Sequence, residues 1–571
     1  MVPSVNTILQ NYIWKGENEK LAIQLYNSPP ITLDGFAERA VALKSQYADT
    51  LWHIDEKMNL LEEALVSSNR ELGCFTPEVK ASISSLKEGA VESAHQTVVL
   101  GGPAYILNKP ITAKRIAELC AEKDVNLSTY FCVADYDIVQ PELTNVRIPV
   151  FGQGGTLVSI PVPQGFEYSP VNVLPLPGHE WYTQIEEEIR SSYRPMFKTL
   201  EGPSRSLFEE RLEHALSITR WSYSNSSSLG EWVKRILGRL FNVEGNLGVP
   251  LVSASHPKIR ELLTEGLEFL LMQENRELFL KTVNQITTEI TDAGFNPGMG
   301  GREQDYVPFY YECTNKECNS ARTELHYSEQ GNTAVLTGKC PSCSEPIVIE
   351  TSIDSPYLGE MAANLSLRVD SRQMAIDTII PTIVHVGGPG EAAYYSQVIP
   401  AAKAMSIPFP LFVRYPRVYF NTPWNESLAR VLEEKGNTVL HRGEMFSLSG
   451  KVSRFRKKGR FDEMNDAISD LSTFILETHS KLNQEHAQLE LEIEVKKGEE
   501  VELLLSHKFD LERYLSWTFG QFAEGKLGQE SSWSWIEWAI NSGFGNLFGP
   551  YERAYVGPMK NGATMFVNFA I

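Results

Sequence analysis

The sequence predicts an α/β protein whose core is one parallel sheet made from two halves of the chain, interrupted by helical and metal-binding insertions. Three observations predict it. Twice a short apolar strand runs into Gly-Gly-Pro and then a helix: Thr97-Val98-Val99-Leu100 into Gly101-Gly102-Pro103-Ala104-Tyr105, and Thr382 to Val386 into Gly387-Gly388-Pro389-Gly390-Glu391. After the first of these, a helix (Ile111 to Lys123) and a second apolar strand (Leu127 to Ala134, ending in Asp135-Tyr136-Asp137) complete a βαβ unit. A helix near 358 to 376, strand 382 to 386, helix 391 to 405 and strand 409 to 414 supply the second unit far downstream. Each half offers too few strands to cover its own faces, so a shared sheet is the economical arrangement, with two small domains as the alternative.

The glycine turns carry the first functional expectation. Glycine lets the backbone turn where a side chain would clash, and the first N–H groups of the following helix lack internal partners, so they point at whatever lies there with the positive end of the helix dipole. Each turn is therefore an anion site or, more simply, a tight strand-to-helix connection. Two copies in matching contexts favour the first, with both turns at the mouth of one cleft.

Length and composition bound the partners. A chain of 571 residues with 42% apolar content builds roughly three or four units. Its net charge of -20 argues against nucleic acid or an anionic membrane surface as the main partner, since both require a basic face. No run of about 18 apolar residues occurs, and Met1 to Trp14 has no leader-like pattern, so a cytoplasmic location is expected.

Of the seven cysteines, Cys74, Cys120 and Cys132 lie singly in apolar surroundings, while Cys313 and Cys318, with four residues between them, precede Cys340-Pro341-Ser342-Cys343. Two short knuckles separated by strand-like sequence (Thr323 to Tyr327, Ala334 to Thr337) make a zinc ribbon. Four thiolates close the shell, so the zinc is expected to be structural and not catalytic.

The chain divides accordingly. N-terminal helices and the first half of the core occupy 1–165, a mainly helical connecting region 166–300, the ribbon 303–352, the second half of the core 353–453, a helical arm 454–528 and a packed aromatic tail 529–571. In the arm, Met464, Ile468, Leu471, Ile475, Leu482 and Leu489 recur at coiled-coil spacing, Lys496-Lys497-Gly498 breaks the run, and Val501, Leu504, Leu511 and Leu515 resume it. Such a narrow seam joins two subunits into a homodimer or packs within its own chain.

The stretch Asn364-Leu365-Ser366-Leu367-Arg368-Val369-Asp370-Ser371-Arg372, followed by Pro381 through Gln397, resembles the signature of the bacillithiol biosynthesis cysteine-adding enzymes. Gly35 to Ala40, Gly102 through Thr112, Asp135-Tyr136-Asp137, Glu231-Trp232 through Leu240-Phe241 and the late coiled coil agree in order, so the resemblance covers most of the chain. Tyr136 stands where that family carries histidine, and the ribbon lies outside its pattern.

The resemblance implies a Rossmann-like core akin to class I synthetases and nucleotidyltransferases, a coiled-coil dimerisation arm, and a ligase that joins cysteine to the amino group of glucosaminyl-malate or an analogue. Amide formation needs an activated carboxylate, which implies ATP or ADP at the glycine turns, with Gly101, Gly102, Tyr105, Lys109, Gly387, Gly388 and Gly390 as the cofactor-binding residues. Arg368 and Arg372, four apart, would face one anion or pair with Asp370. Asp135 and Asp137, at alternate positions, would bind an ammonium group or Mg²⁺, or cap a turn. Glu391 would take a proton or orient an amine, or merely complement the helix dipole. Lys109 would reach a phosphate or serve as an ordinary surface lysine, and His385 is expected to be packed. A noncatalytic scaffold using the ribbon and arm to hold protein partners is the alternative, and a tRNA-linked enzyme is weakened by the acidic charge.

Overall fold

The computed structural model describes residues 2–48, 52, 54–150, 153–200, 202–520 and 528–569. Five strands form the central sheet: β1 (Ala90–Gln96), β2 (Ser128–Ala134), β3 (Leu251–Ser253), β4 (Thr382–Gly387) and β5 (Leu411–Arg414). All pair in parallel, in the order β5-β4-β1-β2-β3. The chain thus winds outward from β1 in one direction, then returns to the other side of β1 with β4 and β5. The switch point lies between β1 and β4, and ligands of such sheets collect in the crevice beyond the carboxyl ends of those strands. The single shared sheet holds, and the two-domain alternative does not.

Alternating side chains give the sheet two cores. Val91, Phe131 and Val133 face one cluster, while Ala90, Ala94, Tyr130 and Cys132 face the other. Helix α1 (Tyr105–Ala121), which crosses from β1 to β2, covers the first face together with Gly35–Ala48. Helices Ile54–Glu71, Pro77–Ser85 and Pro257–Leu271 cover the second. Helix α2 (Pro389–Ala404) links β4 to β5 and packs on Asn6–Lys15, Glu19–Tyr26 and Gln273–Asp292 in a third cluster.

The insertions leave at predictable points. Between β2 and β3 the chain makes the hairpin Asn145–Val150 with Gln153–Ser159 and then the helices His179–Phe197, Pro203–Ser224 and Leu229–Gly238. Between β3 and β4 it makes an antiparallel three-stranded sheet (Leu365–Leu367, Phe309–Glu312, Arg322–Glu324) and a meander (His326–Gln330, Thr333–Lys339, Pro346–Ser352). Beyond β5, helices α3 (Phe461–Val495) and α4 (Glu499–Phe519) fold back on each other, burying Leu482, Leu489, Leu511 and Tyr514. No helix among the described residues is long and apolar enough to cross a membrane.

The first strand lies earlier than the sequence pattern suggests. Ala90–Gln96 is the strand, and the stretch expected to form it ends in a 3₁₀ turn, Val99–Gly101, with Leu100, Gly101 and Gly102 at φ of 57°, 83° and 86°. Glu92, Ser93 and His95 interrupt the apolar run in the true strand and hide it, whereas Val98-Val99-Leu100 is apolar because it is buried under the tail.

Candidate functional site

A cavity of about 310 Å³ opens at the switch point. The last residues of β1 (Ala94, His95, Gln96), the end of β2 (Ala134, Tyr136, Asp137), the start of α2 (Gly388 to Glu391) and the segment after β5 (Tyr415, Arg417) wall it. Tyr105 and Lys109 enter from α1, Arg372 and Tyr394 from the second half of the core, and Ser531 from the tail. Four tyrosines and a set of paired charges therefore surround one space.

The charges form a connected chain. Glu92, fully buried in the middle of β1, is registered against His385 on β4. Its carboxylate accepts from Arg372 Nη1 at 2.6 Å and from His385 Nδ1 at 2.7 Å. Burial alone would raise the Glu92 pKa, but Arg372 and His385 outweigh it and hold the carboxyl down at about 2. Arg372 also donates to Tyr395 Oη at 2.7 Å and, against the effect of burial, is held well above the usual guanidinium value by Glu92. On the far side, His385 Nε2 lies 3.8 Å from Glu391, which accepts from Lys109 Nζ at 2.8 Å. Lys109 donates in addition to the Ala94 carbonyl at 2.7 Å. The Glu391 carboxyl lies far below the ordinary range, because Lys109 and His385 override its burial. A carboxylate so strongly ionised and so fully tied is a poor proton acceptor.

The second glycine turn lies in the cavity wall through Gly388 and Gly390, but its helix is already capped by the chain itself. Glu391 accepts from Gly388 N at 2.6 Å, and Pro389 has no N–H to offer. Gly387 closes the strand beside Phe412, whose ring would lie 2.6 Å from an added Cβ. The first turn is elsewhere. Gly101 and Gly102 are buried and do not line the cavity; an added Cβ on Gly101 would meet Ile236 at 2.8 Å and the Trp535 indole at 2.9 Å. Leu100 O accepts from Trp535 Nε1 at 2.7 Å, and Ala104 N donates to Trp533 O at 2.8 Å. The expected meeting of two glycine turns in one cleft is thus replaced by one turn in the cleft and one packed under the tail. Neither offers the open run of N–H donors that a nucleotide's phosphates require.

The other residue pairs also divide. Asp137 lines the cavity and accepts from Gln96 Nε2 at 2.5 Å, whereas Asp135 faces away and is fully buried. Asp135 binds Lys234 at 2.8 Å and accepts from Ser253 Oγ at 2.6 Å, Ser255 Oγ at 2.7 Å and Ser255 N at 3.0 Å. Burial would raise its pKa, and Lys234 with the two serines more than reverses that. Arg372 is in the cavity, but Arg368 pairs with Glu324 at 3.1 Å and stacks over Tyr306 and Tyr310, so the two arginines do not share an anion. Asp370 is held by Arg302 at 2.7 Å and by Tyr306 Oη at 2.9 Å, not by Arg368.

Two cavity residues escaped the sequence reading. His95 is half-buried, and its Nε2 lies 2.6 Å from Tyr105 Oη while Nδ1 lies 2.8 Å from the Gln96 carbonyl. A carbonyl only accepts, so Nδ1 carries the hydrogen and Nε2 accepts from the phenol. Burial keeps the Tyr105 hydroxyl protonated well above its usual range. Arg417 lines the cavity together with Tyr415 and Ser531. The signal for His95 was position, a polar residue at the carboxyl end of a parallel strand; Arg417, which begins the strand Arg417–Asn421, carried none.

The four cysteines of the ribbon converge. Their sulfur atoms all lie within 4.8 Å of one another, with Cys313 and Cys343 at 3.9 Å and Cys318 and Cys340 at 3.9 Å. Zinc–sulfur bonds of about 2.3 Å in a tetrahedron place sulfurs about 3.8 Å apart, so this donor set fits zinc with no open position. The metal would hold the two knuckles together.

A doubly wound parallel sheet with a polar cavity at its switch point defines the class, a Rossmann-like α/β protein. A family model described as "Bacillithiol biosynthesis BshC, N-terminal Rossmann-like domain" matches residues 183–418. A protein of Chloroherpeton thalassium named "Putative cysteine ligase BshC" is 25% identical over 398 residues, 69% of this chain and 63% of the relative. Proteins of the same name from Oceanobacillus iheyensis and Solibacter usitatus are each 22% identical, over 70% and 62% of this chain and 68% and 63% of theirs. The match therefore spans somewhat less than two thirds of the first relative's length. The family match and these relatives make the bacillithiol biosynthesis BshC family what this chain is similar to.

Proposed function

We propose that the protein is a carbon–nitrogen ligase that joins the carboxyl group of cysteine to the amino group of glucosaminyl-malate or a close analogue. The supporting observation is the lining of the switch-point cavity, which holds both an acid, Asp137, and a cation, Arg417. Asp137 receives the acceptor's ammonium group, and Arg417 receives the cysteine carboxyl group. The amine must lose a proton before it attacks. His95 is the acceptor of that proton, through the Tyr105 hydroxyl that bonds its Nε2. Glu391 and Lys109 neutralise each other and hold the mouth of α2 in place, and Arg372 with Glu92 does the same for β1. A nucleoside triphosphate would activate the carboxylate as an acyl phosphate or acyl adenylate, from which phosphate or AMP leaves as the amide bond forms, and the chain's own residues contribute binding, orientation and proton transfer.

The same reading places structural zinc at Cys313, Cys318, Cys340 and Cys343, and a homodimer at the arm. It also places the protein in the cytoplasm, where its buried thiols Cys74, Cys120 and Cys132 remain reduced. Calorimetry on the purified chain tests the two residues separately. Asp137→Asn should weaken glucosaminyl-malate at least tenfold with cysteine unaffected, and Arg417→Ala should do the reverse. Wild-type protein that binds neither ligand would exclude the assignment.

A further inference from the structure

A second, open groove of about 660 Å³ lies beside the ribbon, lined by Ile138, the residue after Asp137, and by Tyr168, Tyr310, Arg322 and Lys339. Arg322 touches a residue of each space. It is delivered by the strand that returns from the first cysteine knuckle, and its backbone N donates to Tyr168 O at 2.8 Å. Its side chain is only 7% exposed and lies over the rings of Tyr136, a cavity residue, and Tyr310, a groove residue. Nε donates to Ser366 Oγ at 3.0 Å and Nη2 to Leu367 O at 2.9 Å, which fixes the guanidinium plane. Nη1 reaches Asp137 only at 3.8 Å, beyond hydrogen-bond distance, and is left with donors to give.

The charge around it is locally positive in a chain of net charge -20. Arg322, His326 and Lys339 line the groove with one acid, Glu324, and Glu324 is already bound by Arg368 at 3.1 Å. His326 pairs with Asp305 at 2.8 Å, which leaves the buried Arg322 and the exposed Lys339 as the cations that face a ligand.

We propose that the ribbon groove is a carboxylate subsite for the acceptor's acidic end: Arg322 and Lys339 bind the carboxylates of an amine whose ammonium group sits on Asp137. This rests on the ligase reading and deepens it by assigning the residues that would hold the acceptor's carboxylates. It also gives the ribbon a task at the site, because the knuckle that the metal closes sets the register of the strand bearing Arg322. Arg322 is a binding residue here, with its fixed fork matched to a carboxylate.

Calorimetry of the full chain with glucosaminyl-malate and with methyl glucosaminide, the same amine without carboxylates, tests this. Lys339→Ala alters an exposed residue that holds no part of the fold. It should weaken glucosaminyl-malate about fivefold or more and leave methyl glucosaminide unchanged. Arg322→Lys should add to that loss with the same selectivity. Equal affinity of Lys339→Ala and wild type for glucosaminyl-malate, or equal weakening of both amines, would overturn the subsite. In that case loss of both amines on Asp137→Asn would still sustain the ligase reading, whereas wild-type protein that binds neither amine would remove both.

Discussion

Glu92 on β1 and His385 on β4 are registered partners across the switch point, and the Glu92 carboxylate joins His385 Nδ1 at 2.7 Å and Arg372 at 2.6 Å in a fully buried cluster. Two strands far apart in sequence are thereby locked at the level where the cavity begins. A buried ion pair adds little over a well-packed apolar pair, but removing one partner strands a charge. Glu92→Gln leaves Arg372 without its carboxylate and should cost about 3 kcal/mol in chemical denaturation. The folded pKa of about 2 lies below the ordinary carboxylate value, so this stability is present above about pH 4.5 and is lost as pH falls toward 2. Wild type should lose stability through that window and Glu92→Gln should not show that component.

Glu530 titrates in the opposite sense. It is buried beside the cavity, accepting from Val418 N at 2.7 Å, Asn108 Nδ2 at 3.0 Å and Tyr551 Oη at 3.0 Å, and burial raises its pKa to about 7. The unfolded chain releases this proton near pH 4.5 and the folded chain holds it to about 7, so stability falls as pH rises between those values. The loss is on the order of 3 kcal/mol from the size of the shift. Glu530→Gln mimics the protonated group, so it should flatten this slope and leave the variant more stable than wild type at pH 8. An unchanged slope would refute the assignment.

The ribbon should bind one equivalent of zinc per chain, measured by elemental analysis. Stripping it with a chelator, or Cys340→Ser, should lower the melting temperature and abolish protection of amides in 309–352 from exchange, with the protection of β1 and β4 retained.

At the tip of the arm, Leu491, Val495 and Leu503 are exposed to 65%, 80% and 74%, on either side of the Lys496 to Gly498 turn. Covering them with a second copy should give a dimer by light scattering. Leu491→Glu with Leu503→Glu should give monomers with a melting temperature close to wild type, because exposed substitutions change stability by about 0.5 kcal/mol or less.

How much was legible in the sequence depended on which force dominates at each element. β2, β4 and β5 were visible because a buried parallel strand is a continuous apolar run, and the cysteines because thiolate spacing follows from metal geometry. β1 was displaced, since Glu92 and His95 are polar for reasons found only in partners on β4 and α1. The turn at Gly101 looked like an anion site because a strained connection needs glycine whether it holds a phosphate or a tryptophan. Asp135 and Asp137 looked equivalent by spacing, yet the strand ends at Ala134 and alternation no longer governs them. Arg417 carried no motif and became visible only when the fold brought it into the same cavity as Asp137.

The most direct measurement is the content of low-molecular-weight thiols and their amino-sugar precursors in cells from which the coding sequence has been deleted. The account predicts loss of the cysteinyl amino-sugar thiol and accumulation of glucosaminyl-malate, reversed by wild-type protein and not by the Asp137→Asn, Arg417→Ala double variant. An unchanged thiol pool with no accumulated precursor would contradict it.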